Sequence, residues 1–231
     1  MIDRTNVAAL IPAFREQLHI ADVVRRAREH LDIVLVVDDG SSDATSAEAA
    51  RAGAKVIRHD VNRGKGAAIK TGLRELFDYG VQYVLVLDGD GQHRPEEIPN
   101  FLSAANVSVA PFLLGNRMAD AAKMPLVRRW TNQFMSSRIS RVCRQSIPDT
   151  QCGFRMIHHD VIPHMFCDSN AYDYETEMIL IASREGFRIS PVPVSTVYGT
   201  EVSKIHPVKD TLRFFKLMAK YRGKIHEKLK P

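Results

Sequence analysis

The sequence contains only three cysteines among its 231 residues, and no two of them form a CxxC pair. This spacing argues against a disulfide framework and against a zinc ribbon, and it is typical of a reducing compartment. No apolar run approaches the roughly 18 residues that a membrane-spanning helix needs. The first residues also lack the apolar segment and cleavage site of a signal peptide. We therefore expect a cytoplasmic protein rather than a secreted or integral membrane protein.

Two common nucleotide-binding motifs are also missing. The fingerprint GxGxxG does not follow the first predicted strand, which disfavours a dinucleotide site. The glycine-rich segment Asn62–Gly66 lacks the GxxxxGK[ST] spacing of a phosphate-binding loop. We interpret this segment as a loop that leads into a helix, although such a loop can also hold an anion.

The overall composition is that of an ordinary folded domain, with 45% hydrophobic and 26% charged residues. The formal net charge of +5 is unevenly distributed, because residues 209–231 hold eight basic and two acidic residues. Subtracting these from totals of 32 and 27 leaves 24 basic and 25 acidic residues in the first 208. The basic C-terminal stretch indicates either an anionic partner, lipid or nucleic acid, or a solvated helix end.

In the first half of the chain, apolar strand patterns alternate with helical periodicity. The predicted strands are Val7–Pro12, Ile33–Val37, Lys55–Arg58 and Tyr83–Leu87. The predicted helices between them are Glu16–Leu31, Ala44–Ala52 and Gly66–Phe77. Such alternation predicts a parallel sheet with right-handed crossovers, whose ligands bind beyond the carboxyl ends of the strands. Four acidic residues fall at such ends: Asp38, Asp39, Asp88 and Asp90.

The second half has a less regular pattern. Strands are predicted at Val107–Leu114 and Gly153–Ile157, and an extended segment at Phe187–Val197. Helices are predicted at Pro125–Val142, Asp173–Arg184 and Lys209–Lys230. Because no repeat, low-complexity tract or linker interrupts the chain, we expect one α/β domain over residues 1–208. Its mostly parallel, Rossmann-like central sheet would be flanked by helices and followed by an amphipathic C-terminal helix over residues 209–231.

Two carboxylates and an amide follow the fourth predicted strand, in the segment Asp88-Gly89-Asp90-Gly91-Gln92-His93. Such oxygen ligands in a tight loop suit Mg²⁺ or Mn²⁺, and the glycines let the backbone approach a phosphate. An ordinary Asp-Gly turn is the alternative, but the position after a buried strand favours a site. An EF-hand is excluded, because Pro99 stands where that loop would need a glutamate.

Three segments, in order, resemble the motifs of family 2 glycosyltransferases: Ile11–Glu16, Val36–Asp43 and Asp88–His93. That family comprises inverting enzymes of the GT-A fold that use nucleotide-sugar donors and a divalent metal. Gly115–Arg117, Asp149–Arg155 and Ser203-Lys204 extend the resemblance towards the dolichyl- and polyprenyl-phosphate branch. It covers about residues 5–215, and it implies a nucleotide-sugar half of about residues 1–118 and an acceptor half of about residues 119–208.

The resemblance also implies roles for individual residues. It places Pro12, Phe14, Glu16, Val37 and Asp39 around the base and ribose, and Asp88, Gly89, Asp90 and Arg117 against the rest of the donor. Asp90 and Gln92 would bind Mg²⁺ or Mn²⁺, and Arg117 and Lys204 would meet phosphate charge. Arg129, Arg155 and Glu175 would bind the acceptor. The family usually has tyrosine where Phe14 stands, and the dolichyl-phosphate enzymes have arginine where Tyr198 stands, so the donor base and sugar stay open.

The reaction implied is transfer of a sugar from a nucleoside diphosphate to an acceptor oxygen, with inversion, through Asp90, Arg117, Asp149 and Lys204. An acceptor hydroxyl would need a general base, for which Asp149 is the first candidate and Glu175 the second. An acceptor phosphate would need none, because its second pKa of about 6 leaves it mostly dianionic at pH 7. The lack of an obvious catalytic histidine favours a lipid-phosphate acceptor.

Two other function classes remain open at this point. A sugar-1-phosphate nucleotidyltransferase would share the architecture and the metal, but it should carry a GxGTR-type loop where this chain has Pro12–Arg15. A non-catalytic module that binds nucleotide sugar or nucleic acid is the second alternative. The intact Asp88, Asp90 and Gln92 argue against it, and we expect no nucleic-acid partner.

The predicted C-terminal helix is amphipathic as well as basic. Leu212, Phe215, Leu217, Met218 and Tyr221 can share one face. Such a helix could dock the protein peripherally onto an anionic membrane, on its inner face, where a lipid-phosphate acceptor would be presented. Alternatively, the apolar face packs on the domain and the lysines are solvated. The sequence leaves the oligomeric state open.

Overall fold

The computed structural model describes residues 1–118, 124–167, 169, 173–195, 214 and 216–221. Its first four strands follow the apolar runs of the sequence: β1 (Val7–Ala13), β2 (Ile33–Asp38), β3 (Lys55–Arg58) and β4 (Tyr83–Val86). Three helices connect them: α1 (Ile20–Arg28), α2 (Thr45–Arg51) and α3 (Lys65–Tyr79). Strands β1 and β4 are buried along their whole length, as continuous apolar strands inside a parallel sheet should be.

The second half adds three strands and three helices. The strands are β5 (Phe112–Asn116), β6 (Arg155–His158) and β7 (Ile189–Pro193). The helices are α4 (Ile98–Val107), α5 (Leu126–Cys143) and α6 (Asp173–Arg184). Short 3-10 helices cover Pro95–Glu97 and His159–Met165. The predictions for α5 and α6 are confirmed to within one residue at each end.

The seven strands of the described residues form one sheet in the order β3-β2-β1-β4-β6-β5-β7. Strand β1 pairs in parallel with β2 and β4, β2 with β3, and β5 with β7. Only β6 among these strands runs antiparallel to both of its neighbours, β4 and β5. The predicted mostly parallel sheet is therefore confirmed, and the carboxyl ends of β1, β2 and β4 meet at one edge.

The predicted strand Val107–Leu114 is wrong in its first half. Helix α4 continues to Val107, and the strand begins only at Phe112. The run of β-branched residues misled the prediction, because Val107 and Val109 are 86% and 85% exposed and pack in no sheet. The extended segment predicted at Phe187–Val197 contains the shorter strand β7, and its last two residues lie outside the described part of the chain.

One hydrophobic core runs along the sheet, and α3 packs closely on β1. At Gly72 of α3, a Cβ atom would stand only 2.1 Å from Cδ1 of Leu10 in β1. Any side chain there would have to displace the fully buried side chain of Leu10. This close packing fixes the N-terminus of α3 relative to the strand ends.

The described part of the C-terminal helix, residue 214 and residues 216–221, packs against the domain. Phe214, Leu217 and Tyr221 are buried, and the Tyr221 hydroxyl donates to Oε1 of Glu177 at 2.8 Å. These contacts favour the alternative in which the apolar face covers the domain. The rest of the helix predicted over 209–230 lies outside the described residues. Within those residues, no helix is long and apolar enough to cross a bilayer.

Candidate active site

The turns that follow β1 and β2 are tied together. The backbone amide of Arg15 donates to Oγ of Ser41 at 2.9 Å, and that of Glu16 donates to Oγ1 of Thr45 at 2.9 Å. Phe14 lies in the first of these turns, half-buried, with the Arg15 guanidinium 5.1 Å from its ring centre. An aromatic ring held at a strand end in this way can stack on a flat ligand.

Two of the residues assigned to the base and ribose lie inside the sheet. Pro12 of β1 and Val37 of β2 are partners in register, and both are buried. Because both are buried, they can contribute to a base pocket through their backbone atoms and by supporting the residues that line it. Glu16, by contrast, is half-buried in the turn after β1.

Asp39, which follows β2, holds the loop that leads into α3. Its carboxylate accepts hydrogen bonds from the backbone amides of Arg63 at 2.9 Å and Gly64 at 2.7 Å. The same carboxylate lies 2.7 Å from Nδ1 of His59. The glycine-rich segment is thus a loop and helix start, as interpreted from the sequence, and Asp39 holds the two residues that precede Lys65.

Lys65, the first residue of α3, connects two carboxylates from distant parts of the chain. Its Nζ lies 2.6 Å from Oδ1 of Asp88, just after β4, and 3.1 Å from Oε2 of Glu175 in α6. Burial by itself would raise the pKa of Asp88, but the charge and hydrogen bond of Lys65, together with other nearby groups, hold that pKa well below its usual range. Burial would lower the pKa of Lys65, but the two carboxylates raise it.

His93 is the last residue of the turn Asp88–His93, called the acidic turn below, and its side chain is buried. The backbone amide of Asp88 donates to Nδ1 of His93 at 3.0 Å, which requires that nitrogen to be unprotonated. Burial lowers the pKa of His93 to about 4. The ring stacks on Phe154 with centres 5.2 Å apart. The histidine therefore supports the turn as a neutral side chain.

Gly153 brings the backbone against this cluster. A Cβ atom at Gly153 would stand 2.9 Å from Oδ2 of Asp88 and 3.1 Å from Oε1 of Glu175. Its neighbour Arg155 is 1% exposed and donates to the carbonyls of Cys152 at 2.7 Å and Glu175 at 2.8 Å. Arg155 therefore supports Glu175 from inside the protein. In this structure its side chain is too buried to make the predicted contact with an acceptor.

The oxygen ligands predicted for a metal lie at the exposed side of the same turn. Asp90 and Gln92 are half-buried, and the backbone amide of Gln92 donates to Oδ1 of Asp90 at 3.0 Å. Within the described residues, no group of three or more His, Cys, Asp and Glu side chains forms a metal site. Mg²⁺ often binds through one or two carboxylates while phosphates and water complete its shell, and Asp90 with Gln92 fits that pattern.

A second network lies at the end of β5. Nε of Arg117 donates to Oδ2 of Asp149 at 2.7 Å, and its NH2 group donates to Oδ1 at 2.9 Å. Nδ2 of Asn132 in α5 also donates to Oδ1 of Asp149, at 2.8 Å. Burial would raise the pKa of Asp149, but these hydrogen bonds, chiefly from Arg117, lower it. A carboxylate of this kind is a weak proton acceptor, and it orients Arg117.

The remaining predicted residues are placed as follows. Arg129 is half-buried in the first turn of α5, where its backbone amide donates to the carbonyl of Pro125 at 2.9 Å. Gly89 is buried between the two aspartates of the acidic turn. Lys204 and Tyr198 lie outside the described residues. The sequence did not assign Lys65 or Asn132, although Lys65 stands in a basic, glycine-rich segment before a predicted helix.

A family model described as glycosyl transferase family 2 matches residues 8–166 of this chain. The chain belongs to glycosyltransferase family 2. The match covers the turns after β1, β2 and β4 and reaches through β6. The resemblance found in the sequence is thereby confirmed, and the chain is a glycosyltransferase.

Curated relatives align with this chain over most of the length of both proteins. A UDP-N-acetylglucosamine–dolichyl-phosphate N-acetylglucosaminyltransferase from Methanococcus voltae is 27% identical over 94% of this chain and 96% of its own. An undecaprenyl-phosphate mannosyltransferase from Micrococcus luteus is 28% identical over 83% of this chain and 84% of its own.

Solved structures agree with the fold of the glycosyltransferase. Glucosyl-3-phosphoglycerate synthase from Mycobacterium tuberculosis, in complex with UDP, superposes with a TM-score of 0.75 at 16% identity. The alignment covers 94% of this chain and 80% of that one. Another structure of the same synthase holds Mn²⁺ and UDP-glucose. At this identity the likeness shows the GT-A fold alone, and it confirms the predicted fold class.

Proposed function

We propose that this glycosyltransferase transfers a sugar, with inversion, from a nucleoside diphosphate sugar to the phosphate of a polyprenyl or dolichyl lipid. One observation about the site carries the proposal: the three groups that we consider as general bases are each already engaged. Asp149 is paired with Arg117, Glu175 with Lys65, and buried His93 accepts a backbone hydrogen bond. A phosphate acceptor is mostly ionised at pH 7 and needs no such base.

The names of the curated relatives support the same acceptor class. The Methanococcus voltae and Micrococcus luteus enzymes are named as transferases to dolichyl phosphate and undecaprenyl phosphate. Both align with this chain over more than four fifths of its length. A phosphate acceptor would also give Arg129, on the predicted acceptor side, an anion to bind.

We assign the donor to the turns after β1, β2 and β4. Phe14 stacks on the base, with Glu16 beside it in the same turn, and Asp39 lies next to the ribose above the Pro12–Val37 pair. Asp88 and Gly89 line the diphosphate. Lys65 keeps Asp88 ionised and fixed, so that this wall of the site does not collapse when the donor leaves.

Asp90 and Gln92 would hold Mg²⁺ or Mn²⁺ at the donor diphosphate. Their oxygens are the ligand type these cations prefer, and their half-buried position leaves room for phosphate and water in the same shell. A divalent cation in this position supplies charge neutralisation to the leaving diphosphate. The chain itself contributes the orientation of these two ligands, through the hydrogen bond from the Gln92 amide to Asp90.

Arg117 is the residue we place closest to the transferring group. Asp149 takes two donors of its guanidinium and Asn132 steadies the carboxylate, so the guanidinium is oriented before substrate arrives. A cation oriented in advance stabilises negative charge that develops on phosphate oxygens without paying reorganisation during the reaction. Lys204 adds a second cation by resemblance, and Arg129 meets the acceptor phosphate. Asp149 is then a positioning residue rather than a base.

A transfer assay with the purified chain tests the proposal. Labelled UDP- and GDP-sugars are offered with Mn²⁺ and three acceptors: undecaprenyl phosphate, dolichyl phosphate and 3-phosphoglycerate. We expect a lipid-linked, labelled product with at least one lipid phosphate. Transfer to 3-phosphoglycerate alone would replace the acceptor class with a soluble phosphate, and hydrolysis alone across all donors would refute the transfer.

A further inference from the structure

Helix α5 presents an exposed apolar surface on the side away from its buried residues. Its apolar face, defined here as Leu126, Val127, Trp130 and Phe134, is 72%, 81%, 75% and 49% exposed. Residues at spacings of three and four share one side of a helix, so these four form a continuous stripe. The buried side of α5 consists of Asn132, Ser136, Ile139, Val142 and Cys143. An exposed patch of this kind marks an interaction surface.

The charges on α5 indicate what covers the apolar face. The helix carries four arginines and no aspartate or glutamate over its 18 residues. Arg138 and Arg141 are exposed and lie along the same side as the apolar face, and the Arg138 guanidinium lies 5.1 Å from the ring centre of Phe134. If a second copy of the chain docked here through its own α5 face, the arginines of the two helices would meet without a counter-charge from either helix. An anionic surface with an apolar interior is complementary to both features.

We propose that the apolar face of α5 is the surface that docks this protein onto an anionic lipid membrane. Apolar and aromatic side chains would enter the boundary between headgroups and acyl chains, with Arg138 and Arg141 on acidic headgroups. This inference rests on the proposed function, because docking would bring the enzyme to the boundary at which a lipid-phosphate acceptor presents its reacting group.

The same helix connects the docking surface to the site. Asn132, on the buried side, donates to Asp149, and Asp149 orients Arg117. Arg129 lies half-buried in the first turn, between the two sides. A membrane in contact with the apolar face would therefore lie within one helix diameter of Arg129, which we assign to the acceptor.

The chain offers a direct probe, because Trp130 is its only tryptophan. Its emission is recorded with vesicles of phosphatidylglycerol and phosphatidylcholine, with pure phosphatidylcholine vesicles, and with brominated lipids as quenchers, without donor or acceptor. We expect a shift to shorter wavelength and quenching with anionic vesicles only, weakened by salt. Arg138→Glu/Arg141→Glu should weaken vesicle binding at least about tenfold, since each arginine contributes near an anionic surface.

Two matched double variants distinguish binding through this face from nonspecific hydrophobic binding to vesicles. Val127→Ser/Phe134→Ser removes two exposed apolar residues of α5, and Val107→Ser/Val109→Ser removes two that are at least as exposed, at and just after the end of α4. We expect only the first pair to lose binding, while its transfer to a detergent-dispersed acceptor is kept.

Three results would overturn the docking proposal. One is Trp130 emission that does not respond to anionic vesicles. This result counts even if the protein sediments with the vesicles, because its basic C-terminal stretch could then account for the binding. Another is emission that shifts with protein concentration alone, which would make the face a contact between copies. The third is equal binding by both serine pairs. None of these affects the proposed function, which the transfer assay with dispersed acceptor tests separately.

Discussion

Nζ of Lys65 lies 2.6 Å from Oδ1 of Asp88 and joins the start of α3 to the turn after β4. Because the same ammonium group reaches Glu175 in α6, one cation holds three segments that are remote in sequence. The acidic turn is therefore a supported structure rather than a free loop, and its support comes from a residue outside the motif that identifies the family.

Lys65→Met should destabilise the protein and reduce transfer. The substitution leaves Asp88 without its counter-charge and Glu175 with only Arg155, at 3.4 Å, which costs about 3 kcal/mol in the free energy of unfolding. Urea unfolding measures this loss. Lys55→Met is the control, because Lys55 pairs with Glu75 at 2.5 Å on the exposed surface and should cost less than about 1 kcal/mol. Equal losses in the two variants would contradict the role of Lys65.

Asp90→Asn should abolish metal-dependent transfer and leave the fold intact. Loss of several kcal/mol of charge stabilisation corresponds to a fall in rate of about a hundredfold or more. Initial rates with and without EDTA and the melting temperature are the measurements. Asp78→Asn, at an exposed carboxylate of α3, should behave as the unaltered protein. Full activity in excess EDTA would rule out the assignment.

Phe14→Ala should weaken donor binding by about 1–3 kcal/mol, the range found for stacking of a base on an aromatic ring. Calorimetry with UDP and GDP, each with Mn²⁺, measures the change and also identifies the preferred base. Leu18→Ala is the control, because Leu18 is 83% exposed in the same connection between β1 and α1. If both variants bind nucleotide as the unaltered protein does, Phe14 has no role in the donor site.

The C-terminal helix should be released at acid pH. Burial alone would raise the pKa of Glu177, but hydrogen bonds, from Cys167 first and then Lys220, lower it to about 2. A lowered carboxyl pKa stabilises the fold above pH 4.5, and this contribution is lost as the pH falls towards 2. It amounts to about 2 kcal/mol between pH 6 and pH 3.

Urea unfolding at pH 6 and pH 3 measures this loss. Glu177→Gln should be less stable at pH 6 and should show a weaker pH dependence, whereas Glu29→Gln, at an exposed residue after α1, should change neither. An unaltered pH dependence in Glu177→Gln would show that other groups account for the acid sensitivity.

The central strands were predictable because each is a short apolar run bounded by turn residues. The acidic turns at their ends follow from the same pattern. Helix α4 was not predicted, since the exposed valines that end it have strand propensity and local propensity is weaker than tertiary packing.

Contacts between remote segments could not be predicted from the sequence. The partners of Lys65 lie just after β4 and in α6, and the packing of α3 on β1, which pairs with β4, brings these segments close together. The C-terminal helix shows the same limit, because one amphipathic pattern describes both a helix on a membrane and a helix on a domain. The structure buries Leu217 and Tyr221 of that helix and exposes Trp130 of α5.

The acceptor phosphate is the central claim, and a matched pair of lipids tests it most directly. Initial transfer rates are measured with undecaprenyl phosphate and with undecaprenol, at equal concentration, using the donor that binds best. We expect labelled product from the phosphate and none above background from the alcohol, because the candidate bases Asp149, Glu175 and His93 are already engaged. Equal rates with the two lipids would contradict the account.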